Sequence, residues 1–155
     1  MIWEELKGSL IFTELKAKSY EDVMRQMGRV LVQEGYTKES YPDALITRER
    51  KFPTGIDING VGVAIPHTDV SHVNKAGIAI GVLSRPVTFV QMGTDDATVE
   101  VQLVFILAVA NPDEHIEQLQ RIISIIQDKD VLNRLLKVKD KNEVVEIIRQ
   151  KENVL

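Results

Sequence analysis

The stretch Val61-Gly-Val-Ala-Ile-Pro-His-Thr-Asp69 predicts the centre of the fold. Its apolar residues run to Ile65 and stop at Pro66, which predicts a buried strand that ends just before His67. Ligands of open α/β sheets bind at the carboxyl ends of the strands. His67 is therefore the first candidate for a reactive side chain, although a histidine in a plain surface turn gives the same pattern.

Other segments of the chain also have the character of strands. Gly77–Leu83 and Val99–Val109 are almost continuously apolar and rich in Val, Ile and Leu, which is typical of strands covered on both faces. Leu10–Phe12 predicts a first strand at an edge of the sheet, and Val87–Val90 predicts a shorter piece. With helices between and after these strands, we expect a three-layer α/β/α fold around a mixed sheet of four to five strands.

Five helices are predicted from apolar spacing and from capping residues. Ser19 and Asn111 precede acidic first turns and suit the N-cap position, and Gly35 suits a helix end. The buried stripe of the helix after Val99–Val109 is predicted to be Ile116, Leu119, Ile122, Ile123 and Ile126. The helices are expected from Ser19 to Gly35, Lys38 to Lys51, Asn111 to Gln127, Asp128 to Val138 and Asp140 to Lys151.

The composition excludes several classes of protein. The 155 residues, 44% of them hydrophobic, suit one globular domain over residues 1–155, and the absence of cysteine excludes thiol catalysis. The net charge of −4 comes without any basic stripe, so no nucleic-acid partner is expected. The longest apolar run, Leu103–Ala110, falls short of the roughly 20 residues that span a bilayer. We therefore expect a cytoplasmic protein with no membrane insertion.

Two more residues are candidates for the site around His67. His115 falls in the first turn of the helix that follows Val99–Val109, so it lies at the same sheet edge as His67 if the two strands are parallel. Arg48 ends a predicted helix upstream, where a guanidinium could bind a phosphate. A partly exposed histidine at a helix start and a solvated arginine at a helix end are the alternatives.

A metal site is a further alternative. His67, Asp69, His72 and His115 could supply ligands, but their spacing matches no standard zinc pattern. His72 is expected to be solvated or to cap a helix. The nucleotide-binding sequences GxxxxGK[ST] and GxGxxG and the hydrolase sequence GxSxG are all absent.

Three motifs resemble those of one protein family. Ala64-Ile-Pro-His67, after Gly60-Val-Gly, resembles the active-site signature of the fructose/mannitol-type enzyme IIA of the bacterial phosphoenolpyruvate-dependent sugar phosphotransferase system (PTS). Ala44-Leu-Ile-Thr-Arg48-Glu-Arg50 is similar to the family's Leu-x-x-Arg-Glu segment, and Asn111-Pro-Asp-Glu-His115 is similar to the start of its second-histidine helix. Phe52-Pro-Thr-Gly-Ile56 is most similar to the galactitol-specific branch. Thr68 replaces the glycine that many members carry after the active histidine.

The resemblance implies a function as a phosphoryl carrier. The phosphocarrier protein HPr would deliver a phosphoryl group to His67, and the protein would pass it to a cognate IIB for sugar import through the membrane component IIC. Arg48 would supply fixed positive charge, His115 would donate a hydrogen bond, and Glu49 would orient Arg48. No metal or other cofactor is implied. A regulatory module of the same fold, as in the nitrogen-related branch, is the alternative.

Overall fold

The computed structural model describes residues 1–155 and contains a five-stranded sheet between two layers of helices. The strands are β1 (Ile11–Leu15), β2 (Gly55–Ile58), β3 (Val61–Ala64), β4 (Gly77–Val90) and β5 (Thr98–Ala108). The helices are α1 (Ile2–Glu5), α2 (Tyr20–Gln33), α3 (Tyr41–Lys51), α4 (Pro112–Ile126), α5 (Lys129–Leu136) and α6 (Lys141–Glu152). None of them combines the length and the apolar character needed to cross a bilayer. The predicted three-layer α/β/α architecture is confirmed.

The order of the strands explains how the two histidines meet. Across the sheet the order is β1-β4-β5-β3-β2, with β1 at an edge as predicted. β4 and β5 are antiparallel, whereas β3 runs parallel to β5, so the sheet is mixed. Because β3 and β5 are parallel neighbours, their carboxyl ends lie at the same edge of the sheet. His67 follows β3 and His115 follows β5, so both side chains are delivered to that edge.

Successive residues of the central strands face opposite helical layers. Val63 and Phe105 belong to a buried cluster with residues of α4, α5 and α6. Their neighbours Ala64 and Ile106 belong to a second cluster with residues of α2 and α3. This burial on both faces explains why the strands are continuously apolar in sequence.

The predicted helix ends are found close to where the capping residues placed them. The Ser19 side chain accepts a hydrogen bond from the backbone N–H of Asp22 at the start of α2, and Asn111 accepts one from Asp113 at the start of α4. Gly35, just after α2, has a φ of +80°, a left-handed conformation that favours glycine. These interactions are local, which is why the sequence reveals them.

The hairpin of β2 and β3 was not predicted. β2 pairs antiparallel with β3 through a turn at Asn59 and Gly60, whose φ angles are +53° and +87°. Positive φ at both central residues is what a tight two-residue hairpin turn requires, and Asn-Gly is its preferred sequence. The four residues of β2 include an exposed Asp57, so they carry no apolar pattern of their own.

Two other predictions about the elements are wrong, and the four-residue α1 was not predicted. Val87–Val90 is not a separate strand but the end of β4, which continues beyond an irregularity in its pairing with β5. Ile116 is 64% exposed instead of buried. The first turn of α4 projects beyond the packed core, and the fully buried residues of the helix begin only at Ile122.

Candidate active site

His67 stands directly after β3 with one ring nitrogen held by the backbone. Its Nδ1 lies 3.1 Å from the carbonyl oxygen of Ile65. Because a carbonyl oxygen only accepts hydrogen bonds, Nδ1 carries the proton and the neutral ring has its lone pair on Nε2. Nε2 is therefore the nitrogen that can attack an electrophile.

The segment that carries His67 is tied to the neighbouring strand. The backbone N–H of Leu107, in β5, donates to the carbonyl oxygen of Pro66 at 3.0 Å. His67 itself pairs with Leu107 in an isolated parallel bridge. The backbone that presents the imidazole is thus an extension of the sheet, and its position is set by β5.

His115 lies beside His67, as expected for residues at one edge of the sheet. The two ring centroids are 4.4 Å apart. The Nδ1 of His115 is buried and has no hydrogen-bond partner. Since a buried N–H without an acceptor is more costly than an unfilled lone pair, we assign the proton to Nε2. His115 then presents Nε2–H as a hydrogen-bond donor.

Arg48 lies in the same pocket as the two histidines. It lies in the last turn of α3, its guanidinium carbon is 4.2 Å from the centre of the Phe52 ring, and it forms no ion pair with a carboxylate. Its charge is therefore free to attract an anion. The three side chains share a pocket of about 280 Å³ lined by Arg48, His67, Thr68, Asp69, Val70, Val109, Pro112 and His115.

The pocket keeps both imidazoles neutral. Burial lowers the pKa of His67 most. The hydrogen bond to the Ile65 carbonyl raises it, whereas repulsion from Arg48, and from His115 when that ring is protonated, lowers it further, so the net change is a decrease. The pKa of His115 is lowered by burial and then by Arg48. Since an ordinary histidine has a pKa of about 6.5, both rings are neutral at pH 7.

Glu49 does not orient Arg48, so that prediction is wrong. Its carboxylate is buried and accepts hydrogen bonds from the backbone N–H of Thr54 at 2.7 Å and from the Thr54 hydroxyl at 2.8 Å. Burial raises the pKa of Glu49 to about 7 against the opposing effect of the Thr54 hydrogen bonds. Adjacent helix residues point in different directions, about 100° apart, so Arg48 and Glu49 reach different surroundings. No signal in the sequence pointed to Thr54.

The remaining candidates make other contacts, although Asp69 also lines the pocket. His72 Nδ1 lies 2.8 Å from the Ser40 hydroxyl, and Asp69 caps the short 3₁₀ turn Val70–His72 by accepting from the Ser71 N–H. Arg50 is exposed and contacts Tyr20 and Glu21. No three His, Asp or Glu side chains converge in a way that could hold a metal ion, so the metal-site alternative has no ligand set.

Comparison with known proteins assigns the family. The family model described as "Phosphoenolpyruvate-dependent sugar phosphotransferase system, EIIA 2" matches residues 4–151. The chain belongs to this family. The galactitol-specific EIIA component of Escherichia coli K12 is 32% identical over 115 residues, which cover 74% of this chain and 76% of that protein. The mannitol-specific EIICBA component of Vibrio cholerae is 31% identical over 147 residues, 93% of this chain but only 21% of that longer protein. The predicted membership of the PTS enzyme IIA family is confirmed.

Solved structures agree with this assignment. The mannitol IIA of Escherichia coli, solved in a complex with phosphorylated mannitol IIB, superposes with a TM-score of 0.79 at 28% identity over 94% of this chain and 97% of that one. The nitrogen regulatory protein IIA-Ntr of Neisseria meningitidis gives a TM-score of 0.77 at 30% identity over 95% and 98% of the two chains. The fold is therefore that of PTS IIA proteins.

Proposed function

We propose that this PTS IIA protein, acting as one domain over residues 1–155, carries phosphoryl groups on His67. Phospho-HPr is the donor, a cognate IIB is the acceptor, and the sugar imported through IIC is galactitol-like. The observation that carries the proposal is the free Nε2 of a neutral His67 in one pocket with the unpaired charge of Arg48 and the donor of His115. This relay takes place in the cytoplasm.

The proposed transfer needs no proton to leave the histidine. The lone pair on Nε2 attacks phosphorus, the new N–P bond forms, and the bond between phosphorus and the donor breaks. The ring becomes more positive as it is phosphorylated, and the Nδ1–H donated to the Ile65 carbonyl stabilises that charge. Transfer to IIB is the same step in reverse, with the acceptor on IIB as the attacking group.

The pocket lowers the barrier by positioning and by electrostatics. Phosphoryl transfer passes through a loose transition state with charge spread over the equatorial oxygens. Arg48 supplies positive charge to those oxygens, and His115 Nε2–H donates to one of them. The pocket holds these groups before the donor arrives, so little reorganisation accompanies the reaction.

Partner docking would use exposed apolar residues beside the pocket. Ile116, the residue after His115, is 64% exposed, and Phe52, which stacks with Arg48, is 56% exposed. Aromatic residues such as Phe52 are enriched at protein interfaces, and the two exposed apolar side chains lie next to the catalytic groups, beside His115 and Arg48. The solved complex between mannitol IIA and phosphorylated IIB supports a IIB as the acceptor.

A regulatory role is the second candidate. It is favoured by the similarity to the nitrogen regulatory protein IIA-Ntr of Neisseria meningitidis. In that case His67 is still phosphorylated, but the phosphate does not move on to a IIB. The phosphorylated and unphosphorylated forms then differ in their affinity for another protein.

The experiment incubates the protein with phosphoenolpyruvate, enzyme I and HPr and measures acid-labile phosphate. We expect His67→Ala to abolish labelling and His72→Ala, whose ring contacts Ser40 outside the pocket, to retain it. Labelling that survives His67→Ala contradicts the proposal. Adding the IIB then separates the two roles, because only the transport carrier loses its phosphate to IIB.

A further inference from the structure

We propose that Glu49 and Thr54 are positioning residues that hold the backbone on which His67 depends for its reactive tautomer. The proposal rests on the phosphoryl-carrier function above and adds two side chains that never touch the phosphate. Neither lines the pocket of Arg48, His67 and His115. They act through Ile65, two residues before His67.

The first link joins the two side chains. Glu49 is 5% exposed and Thr54 is 4% exposed. Both oxygens of the Glu49 carboxylate are occupied, Oε2 by the Thr54 backbone N–H and Oε1 by the Thr54 hydroxyl. The threonine is thus fixed both in its backbone and in its side chain.

The second link runs from Thr54 to the active segment. The backbone N–H of Ile65 donates to the Thr54 hydroxyl oxygen at 3.2 Å. Because this N–H only donates, the hydroxyl must accept from it, and its own proton is directed to Glu49. A carboxylate at position 49 therefore sets the direction of the whole chain of hydrogen bonds.

The third link reaches the imidazole. The Ile65 carbonyl accepts from His67 Nδ1, and the carbonyl of the intervening Pro66 accepts from Leu107 N–H. Ile65 is thus held at its N–H by Thr54 and by its side chain in the core, where it is 1% exposed. Loss of the Thr54 hydrogen bond frees the backbone at Ile65 to rotate, which moves the Ile65 carbonyl away from Nδ1, and the ring can then shift its proton to Nε2. That tautomer has no lone pair at the attacking nitrogen.

The cost of the arrangement supports a role beyond packing. A buried carboxyl that pairs with no cation is unfavourable, and burial raises the pKa of Glu49 to about 7 even though Thr54 donates to it twice. The Thr54 hydroxyl that helps to offset this cost also accepts from the Ile65 N–H, and the Ile65 carbonyl accepts from His67. The buried carboxylate is thus connected to the reactive ring.

The test measures the tautomer of His67 by ¹⁵N NMR in the unphosphorylated protein. In the wild type we expect the proton on Nδ1, and a wild-type ring with its proton on Nε2 would overturn the proposal without any variant. Thr54→Val removes the hydroxyl but keeps the shape of the side chain. We expect it to increase the Nε2–H population and to slow labelling by phospho-HPr about tenfold, the effect of one hydrogen bond.

Two further variants complete the test. Thr54→Ser keeps the hydroxyl and should restore the wild-type tautomer and rate. Glu49→Gln has one acceptor oxygen for two donors, so we expect a change in the same direction as Thr54→Val, and it decides the question if Thr54→Val does not fold. Unchanged tautomer and rate in folded Thr54→Val or Glu49→Gln, or a Thr54→Ser protein that behaves like Thr54→Val, overturns the proposal.

The isomer of the phosphohistidine gives an independent readout. ³¹P NMR distinguishes phosphorylation at Nε2 from phosphorylation at Nδ1. We expect only the Nε2 isomer in the wild type and a measurable Nδ1 isomer in Thr54→Val, which loss of stability alone would not produce. If phospho-HPr does not label the wild type at all, the proposed function fails, whereas the tautomer measurement still decides the role of Thr54.

Discussion

The rings of His67 and His115 lie 4.4 Å apart between centroids, with their planes inclined at 47°. They are separated by β4 and β5 in the sequence and meet because β3 and β5 are parallel neighbours. The two rings have different surroundings at Nδ1, because His67 Nδ1 faces the Ile65 carbonyl and His115 Nδ1 has no partner. His67 offers a lone pair on Nε2, while His115 offers a proton on Nε2.

We expect His115→Ala to slow phosphorylation of His67 about a hundredfold, because a preorganised donor to a phosphoryl oxygen is lost. His115→Gln keeps a side-chain N–H and should lose less. The rate of labelling by phospho-HPr provides the measurement. His72→Ala is the matched control, since its ring bonds to Ser40 outside the pocket. Equal rates for His115→Ala and the wild type would remove His115 from the mechanism.

We expect Arg48→Ala to slow phosphorylation on the order of 10²–10³-fold, because the fixed charge facing the transferred group is removed. Arg50→Ala is the control: Arg50 lies on the same helix, is exposed and contacts Tyr20 and Glu21. The comparison uses single-turnover transfer from phospho-HPr. A loss of the same size in both variants would show that the place of Arg48 in the pocket gives it no special role, and would contradict the prediction.

The fraction of His67 in its neutral, nucleophilic form should be constant with pH above about 6.5. The pKa of His67 is lowered, mainly by burial, so the neutral nucleophile is present at neutral pH and is lost only as the pH falls through that lowered value. Arg48→Ala removes a nearby positive charge and should move the decline to higher pH. An NMR titration of His67 alongside the rate provides the check. A decline of this neutral fraction that begins above pH 7 would contradict the buried, neutral imidazole.

We expect Ile116→Asp to weaken transfer from phospho-HPr and to IIB by raising KM, because an exposed apolar contact is replaced by a charge. Labelling by a small donor such as phosphoramidate should stay unchanged, since the pocket itself is intact. Val154→Asp, at a residue that is 77% exposed and outside the pocket, is the control. If labelling by phosphoramidate falls equally, Ile116 acts on the chemistry rather than on docking.

Glu152 should stabilise the fold and make the free energy of unfolding depend on pH in the acidic range. Its buried carboxylate accepts from the backbone N–H groups of Ile2 and Trp3 and from Arg121. We expect Glu152→Ala to lower the free energy of unfolding by about 3 kcal/mol, because three donors lose a charged acceptor. Glu146→Ala, which removes an exposed pair with Arg149 on the same helix, should have a much smaller effect.

The sign of the pH effect at Glu152 follows from its surroundings. Burial raises its pKa, but the hydrogen bonds from Arg121, Trp3 and Ile2 outweigh burial, so the pKa is lowered in the folded protein. The folded state thus binds fewer protons than the unfolded state, and the stabilisation is complete above about pH 4.3 and lost as the pH falls through the lower folded value. Denaturant unfolding at several pH values checks this. A Glu152→Ala protein with the same acid dependence as the wild type would contradict it.

The sequence predicts those parts of the fold that depend on neighbouring residues. Apolar runs, N-caps such as Ser19 and Asn111, and the position of His67 after a strand each depend on only a few consecutive residues. The β2 strand is different, because four residues with an exposed Asp57 become a strand only when β3 pairs with them. The predicted burial of Ile116 is wrong for a similar reason. Helical spacing predicts which face of a helix is apolar, but only the extent of the core decides how much of that face is covered.

For the candidate site, the sequence by itself determined which side chains with suitable chemistry follow which elements: Arg48 at a helix end, His67 and His115 after strands. The tertiary structure alone decided that the three share one pocket, that His67 has its lone pair on Nε2, and that Glu49 binds Thr54 instead of Arg48. The physical reason is that these properties depend on strand order, burial and hydrogen-bond direction. Those are set by residues far apart in the chain, which periodicity and capping do not report.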